Sequence, residues 1–218
     1  LEELPFGDMQ STGWSSVAIH LKSDPENLLY QFCNNDQGEP SPLFIRKETL
    51  DLFDKQNDLR YKTCVNYDTP NRPTGESGAR MFGSNQVKWN CGGIRFSEVY
   101  LIVAECYARL NDPENAMKYL NELYVNRVKN NTPELTAANA DEAFEQVRKE
   151  RKRELMFTYN GFFDMRRFSV QLNETFTRTY VNTAGETQEF TLEPGSPLYV
   201  WPFPQNAMET SNLVQNTK

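Results

Sequence analysis

The chain has 218 residues, 38% hydrophobic and 12% aromatic, and its 23 Lys and Arg against 30 Asp and Glu give a net charge of −7. That length can bury a substantial core, and the generous aromatic content marks a loop-rich folded protein, not a disordered one. The negative balance lacks the clustered cations that phosphate neutralisation needs, and no apolar run approaches the roughly 20 residues of a membrane-spanning helix, so neither general nucleic-acid binding nor a helical span is predicted.

Residues 1–42 are poor in regular structure, with Gly7, Gly13, Pro25, Gly38, Pro40 and Pro42 as punctuation. The opening Leu1-Glu2-Glu3-Leu4-Pro5 reads as the interior of a longer chain, without a signal peptide. Val17, Ile19 and Leu21 alternate with polar or small residues, and a second apolar group at Leu28 to Phe32 suggests a short hairpin. Ser41 and Pro42 predict the start of a helix reaching Phe53, with Leu43, Leu50 and Phe53 on one face. Asp51, Asp54, Asp58 and Arg60 do not match a calcium-loop spacing and read as solvated helix-end charges.

Residues 61–92 are again irregular, and a loop of such length inside a folded domain usually has a task. From Ile94 the pattern turns helical and apolar on most sides through Leu110, with Cys106 read as a small buried hydrophobe. Asp112-Pro113 supplies a cap and a first-turn proline for a second helix, whose face is Ala116, Leu120, Leu123 and Tyr124. Ala104, Tyr107, Asn111, Ala116 and Leu120 resemble one tetratricopeptide unit.

A third helix, from about Ala140 to Tyr159, holds a run of charges from Arg148 to Glu154. A run covering about two turns cannot all face water, and charges turned inward must be paired. Glu98 and Glu105 of the first helix and Arg148, Arg151 and Arg153 of the third are the expected partners, buttressing the interface. Further on, Asn182 and Gly185 predict a hairpin turn within Tyr180 to Gln188.

The segment Gly93-Ile94-Arg95-Phe96-Ser97-Glu98-Val99-Tyr100-Leu101 and onward to Glu105 resembles a signature of the SusD/RagB family of Bacteroidetes outer-membrane nutrient-binding lipoproteins. Ala116 to Arg127, Glu150 to Phe168, Pro197 to Pro204 and Leu213 to Asn216 resemble later segments of that family in the same order, and Ser41 to Arg60 a weaker one. At Thr158-Tyr159-Asn160-Gly161 the chain departs from the family's usual Glu-Gly-His-Arg, which predicts altered local packing there.

The resemblance implies a mainly α fold with extensive loops, a SusD-like architecture with a tetratricopeptide-like helix pair and short β-hairpins. It also implies that 1–218 is a single domain forming the C-terminal portion of a longer protein. Within it 1–92 would be the loop-rich ligand-facing part, 93–170 the helical scaffold and 171–218 a loop-rich C-terminal part. The implied role is cell-surface capture of oligosaccharide or polysaccharide for a SusC-like TonB-dependent transporter, at the outer membrane through an N-terminal lipid anchor, with no cofactor and no catalysis. A tetratricopeptide-like adaptor that binds peptide or protein partners is the alternative.

Sugar capture calls for aromatic faces beside planar polar groups. Tyr61, Tyr67 and Trp89, near Asn66, Asn71 and Arg72, together with Trp14 among serines, are the candidates. Trp201, between prolines, reads instead as packed on the scaffold. The only histidine is His20 and there is no GxSxG stretch, so a Ser-His-Asp centre lacks support, and a Cys33/His20 dyad has no supporting motif. Cys33, Cys64, Cys91 and Cys106 show no metal-like spacing, and no glycine-rich phosphate loop is present.

Overall fold

The computed structural model describes residues 25–31, 47–67, 79–81, 90, 92–156, 158–181 and 184–215, with the backbone alone for 47, 62–67, 79–81 and 180–181. The chain packs as two compact units, one ending at Tyr159 and the other beginning at Asn160.

The first unit is built on three helices, α3 (Phe96–Arg109), α4 (Pro113–Tyr124) and α5 (Ala140–Glu154). Asn111 decides how α3 turns into α4. At φ 61° it takes the left-handed position past the helix end, while Asp112 N–H donates to Tyr107 O (2.9 Å) and Asn111 N–H to Ala108 O (3.1 Å). These are the paired bonds of a Schellman cap, with Asn in the place usually taken by Gly. Asp112 then caps α4 by accepting from Asn115 N–H, and Pro113 occupies the first turn, where no amide donor is needed. At the start of α5, Asn139 accepts from Glu142 N–H while Glu142 reaches back to Ala138 N–H at 2.9 Å, a variant of the capping box.

Leu101, Ala104 and Ala108 of α3, Ala116, Met117, Leu120 and Leu123 of α4, and Ala143 and Val147 of α5 form one core with Leu155. The alanines let the helix axes approach, and each fully buried leucine contributes about 1.5–3 kcal/mol. Tyr119 of α4 stacks on Tyr107 of α3 at 5.5 Å between ring centroids. The expectation that α3 is buried on most sides is corrected, because Ile102, Cys106 and Leu110 lie exposed on its far face. Leu101, Ala104 and Ala108 carry the face that packs on the neighbouring helices.

Smaller elements are tied to this core. β1 (Asn27–Leu29) pairs antiparallel with β4 (Ile94–Arg95), a partner far along the chain, whereas Val17 to Leu21 lie outside the described residues. The side chain of Asn90, 1% exposed, accepts from Gly93 and Gln31 N–H and donates to Leu29 O and Asn27 Oδ1. Gly93 is required here: a Cβ would stand 2.0 Å from Leu29 O and 2.1 Å from Asn90 Oδ1. Of the helix expected to reach Phe53, the described part is α1 (Lys47–Leu50). Leu50 and Phe53 are buried with Tyr61 in a second small cluster, against which Met156 packs. α2 (Leu59–Cys64) runs directly into β2 (Val65–Tyr67), which pairs antiparallel with β3 (Ala79–Met81).

The second unit begins with α6 (Asn160–Gln171), a helix separate from α5, since α5 ends at Glu154. The expected single helix to Tyr159 is therefore shortened. β5 (Phe176–Val181) and β6 (Thr187–Leu192) form the expected hairpin, with Gly185 at φ 82° in its turn. α7 (Gln205–Thr210) follows, and Gln215 clamps the segment before it by accepting from Phe203 N–H and donating to Phe203 O. Trp201, expected to pack on the scaffold, is 77% exposed, with its ring edge-on to Phe162 at 6.4 Å.

Candidate functional site

Two of the candidate ligand residues, Asn66 and Tyr67, end β2, where their backbones pair with Arg80 and Ala79. β2 is held only as firmly as α2, and α2 is anchored by ionic contacts. Leu59 N–H donates to Arg127 O and Lys129 N–H to Asn57 O, both at 2.9 Å, which draws the start of α2 against the segment after α4. That pairing brings Asp58, Arg60 and Arg127 to the charged end of α5.

There the described residues form a buried network of four carboxylates, Glu26, Asp58, Glu150 and Glu154, and four guanidinium groups, Arg60, Arg95, Arg127 and Arg153. Each of the eight side chains is at most 8% exposed. Arg60 holds Asp58 with two nitrogens at 3.0 and 2.7 Å and uses the third for Glu150 and for Glu154 at 2.8 Å. Arg127 bridges Glu154 and Glu26, and Arg95 spans the same two carboxylates at 3.3 and 3.1 Å. Arg153 pairs with Glu150 and donates to Leu52 O at 2.7 Å, so the network also grips the segment after α1.

Charge balance explains why this cluster tolerates burial. Burial by itself pushes the Glu154 carboxyl up, but Arg127, Arg60 and Arg95 hold it well below the ordinary carboxylate range. Glu150 is likewise lowered, burial being outweighed by Arg153 and Arg60. For Arg60, burial favours the neutral form and Asp58 and Glu150 reverse it, raising its pKa well above the usual value. The forked guanidinium suits this site because Arg60, Arg95 and Arg127 each meet two or more carboxylate oxygens at once, while Arg153 holds one Glu150 oxygen with two nitrogens and Leu52 O with the third.

Of the residues expected to buttress the interface of α3 and α5, Arg153 belongs to this network. Glu105 of α3 accepts from Arg109 of the same helix at 2.8 Å, and the Arg109 guanidinium lies 4.5 Å from the centre of the Phe144 ring of α5. Glu98 is half-buried in the first turn of α3, where the helix dipole favours an anion, and Arg151 is buried in the last turn of α5. Asp58 and Arg60, expected to be solvated, belong to the buried network instead. Asp51 and Asp54 of that group are exposed as expected, Asp54 in a turn where it accepts from Asn57 and Gln56.

Of the aromatic candidates, Tyr61 is 8% exposed and its ring meets Phe53 at 6.1 Å between centroids. It is a core residue that offers no face to a sugar. Trp14, Arg72, Asn71 and Trp89 lie outside the described residues, as do His20, Cys33 and Cys91, and for Asn66 and Tyr67 the backbone alone is described. Glu26, Arg95, Arg127, Glu150 and Glu154 escaped the sequence reading as a set. Their signal was the isolated arginines of otherwise apolar stretches, at Arg95 and Arg127, together with a charge run on a helix that has few apolar residues.

The helix-rich scaffold with small antiparallel two-stranded sheets, closed by a buried Arg/Glu network, defines the class. The SusD family model matches residues 83–218, and the chain belongs to that family. A SusD-like carbohydrate binding protein from Bacteroides vulgatus ATCC 8482 shares the fold, with a TM-score of 0.59 at 17% identity over 95% of this chain and 51% of that one. A SusD-like protein from Bacteroides fragilis NCTC 9343 aligns with a TM-score of 0.49 at 21% identity, over 73% of this chain and 38% of that one. The chain therefore spans about half or less of the length of these solved structures. A comparison with curated proteins returned no match.

Proposed function

We propose that this chain is part of a cell-surface protein that captures an oligosaccharide and passes it, with no bond broken, to a SusC-like TonB-dependent transporter of the outer membrane. Membrane attachment would come from a lipid anchor N-terminal to the present sequence. The observation that carries this reading is membership of the SusD family over 83–218, together with the fold shared with a SusD-like carbohydrate binding protein.

The residue types of the loop-rich sequence before α3 agree with it. Tyr67, Asn66, Arg72, Trp89 and Trp14 combine aromatic rings, which stack on pyranose C–H faces, with amide and guanidinium groups that hydrogen-bond hydroxyls. The ionic anchoring of α2 would supply a rigid base for such a site. Affinity electrophoresis in gels containing individual polysaccharides tests the proposal. Retention of the wild-type chain by at least one polysaccharide, weakened in Tyr67→Ala and Trp89→Ala, is the expected result. Absence of retention by every polysaccharide, with tight peptide binding in its place, would favour the tetratricopeptide-like adaptor.

A further inference from the structure

Beside α4 runs an open groove of about 660 Å³, remote in sequence from the glycan candidates. One wall is a face of α4 and its C-cap in which Glu114, Met117, Lys118, Asn121, Glu122 and Val125 recur at i+3 and i+4 spacing, and the other is the segment from Glu134 to Ala137. Asn121 fixes the two walls together: its Nδ2 donates to Leu135 O and its Oδ1 accepts from Leu135 N–H, both at 2.9 Å. Leu135 and Ala137 pack on the main core from the other side. The groove is thus preformed, its amide is already engaged, and Met117, Val125 and Leu135 make its floor apolar.

The rim carries the opposite character. Glu114, Glu122 and Glu134 line the groove and form no ion pair among the described residues, in contrast to the neutralised carboxylates of the buried network. The one cation on the lining among the described residues, Lys118, has its ammonium 5.6 Å from the centre of the Tyr119 ring. Among the described residues no aromatic ring lines the groove, so they offer no stacking surface to a sugar. A nucleic acid would be repelled. The face from Glu114 to Val125 is about 16 Å long at 1.5 Å per residue, enough for about three helical turns of a bound segment.

We propose that this groove docks a segment of a partner protein in which apolar side chains are flanked by Lys or Arg. The apolar side chains cover Met117, Val125 and Leu135, and the cations neutralise the three glutamates. This surface acts independently of glycan capture, and its test does not depend on that reading.

The probe is a fluorescein-labelled 14-residue peptide of alternating Leu and Lys pairs, with a Glu-for-Lys counterpart, titrated by fluorescence polarisation at about 50 and about 300 mM salt. Three variants accompany the wild type. Glu122→Lys/Glu134→Lys reverses the rim at a half-buried position near the end of α4, where a cation suits the helix dipole, and at an exposed loop position. Thr136→Trp fills the groove from an exposed position, and Glu186→Lys/Glu189→Lys makes the same change of net charge on the exposed β5–β6 hairpin. The wild type should bind the Lys peptide and not its Glu counterpart, and more weakly at high salt. Both groove variants should lose at least about tenfold in affinity, with the hairpin variant within about twofold. Failure of the Lys peptide to bind, equal loss in the two double variants, or full binding by Thr136→Trp would each overturn the proposal, and circular dichroism melts verify that every variant is folded.

Discussion

Arg127 and Glu154 join the ends of two helical segments: Nε and a terminal nitrogen of the arginine reach the carboxylate at 3.1 and 3.0 Å, and that terminal nitrogen also holds Glu26 at 2.7 Å. One guanidinium thereby binds α5, the segment after α4 and the residue before β1. Removing either partner leaves the other charged and buried, so Glu154→Gln should cost about 3–5 kcal/mol of unfolding free energy. Arg127→Lys should cost a comparable amount, because an ammonium has no fork with which to span two carboxylates. Urea unfolding followed by circular dichroism measures both.

The same network predicts acid sensitivity. Glu154 and Glu150 have folded-state pKa values below their ordinary 4.5, so the folded chain binds fewer protons than the unfolded one as the pH drops. Their contribution is fully present above the unfolded value and is lost as pH falls from about 4.5 toward the lowered folded values. Midpoints of urea unfolding should therefore hold between about pH 6 and pH 7 and decline steadily below about pH 4.5, with a shallower decline in Glu154→Gln.

Gly93 has no room for a side chain, since a Cβ would press into Leu29 O and the Asn90 amide. Gly93→Ala should cost about 1–3 kcal/mol through displacement of β1 from β4. A fall in melting temperature with loss of amide-exchange protection at Gly93 and Gln31 is the expected signature.

Asn111 sits at φ 61° in the cap between α3 and α4. Asn111→Gly should be neutral or stabilising, whereas Asn111→Val forces a β-branched side chain into the left-handed region at about 1–2 kcal/mol. Thermal melts of the two variants should move apart accordingly.

Tyr61 and Tyr67 should behave oppositely. Tyr61→Ala removes a ring from the Leu50 and Phe53 cluster and should cost about 3–5 kcal/mol, with any change in glycan retention following from unfolding. Tyr67→Ala should weaken retention at an almost unchanged melting temperature, as measured by affinity electrophoresis beside differential scanning fluorimetry.

Much of the helical framework was legible in local pattern. The 3.6-residue periodicity of Ala116, Leu120 and Leu123, the Asp112-Pro113 cap and the Gly185 turn are signals carried within a few residues, and each forms where expected. Exposure was less legible. Ile102, Cys106 and Leu110 are apolar enough to predict burial, yet whether a helix face is covered depends on what packs there, which no local pattern states. Trp201 and Tyr61 exchanged places for the same reason, the first exposed and the second in the core.

By itself the sequence determined the kind of protein: an acidic, loop-rich chain around three helices, with ordered motifs that place it in the SusD family. It also required that some of the charges from Arg148 to Glu154 turn inward, since about two turns of helix point in every direction. Tertiary structure alone decided their partners. Arg60, Arg95 and Arg127 reach Glu150 and Glu154 from as far as 94 residues away along the chain, and Glu26 joins them through Arg127, 101 residues on. Ion pairing acts through space over a few ångströms, and only folding brings such distant residues within that range.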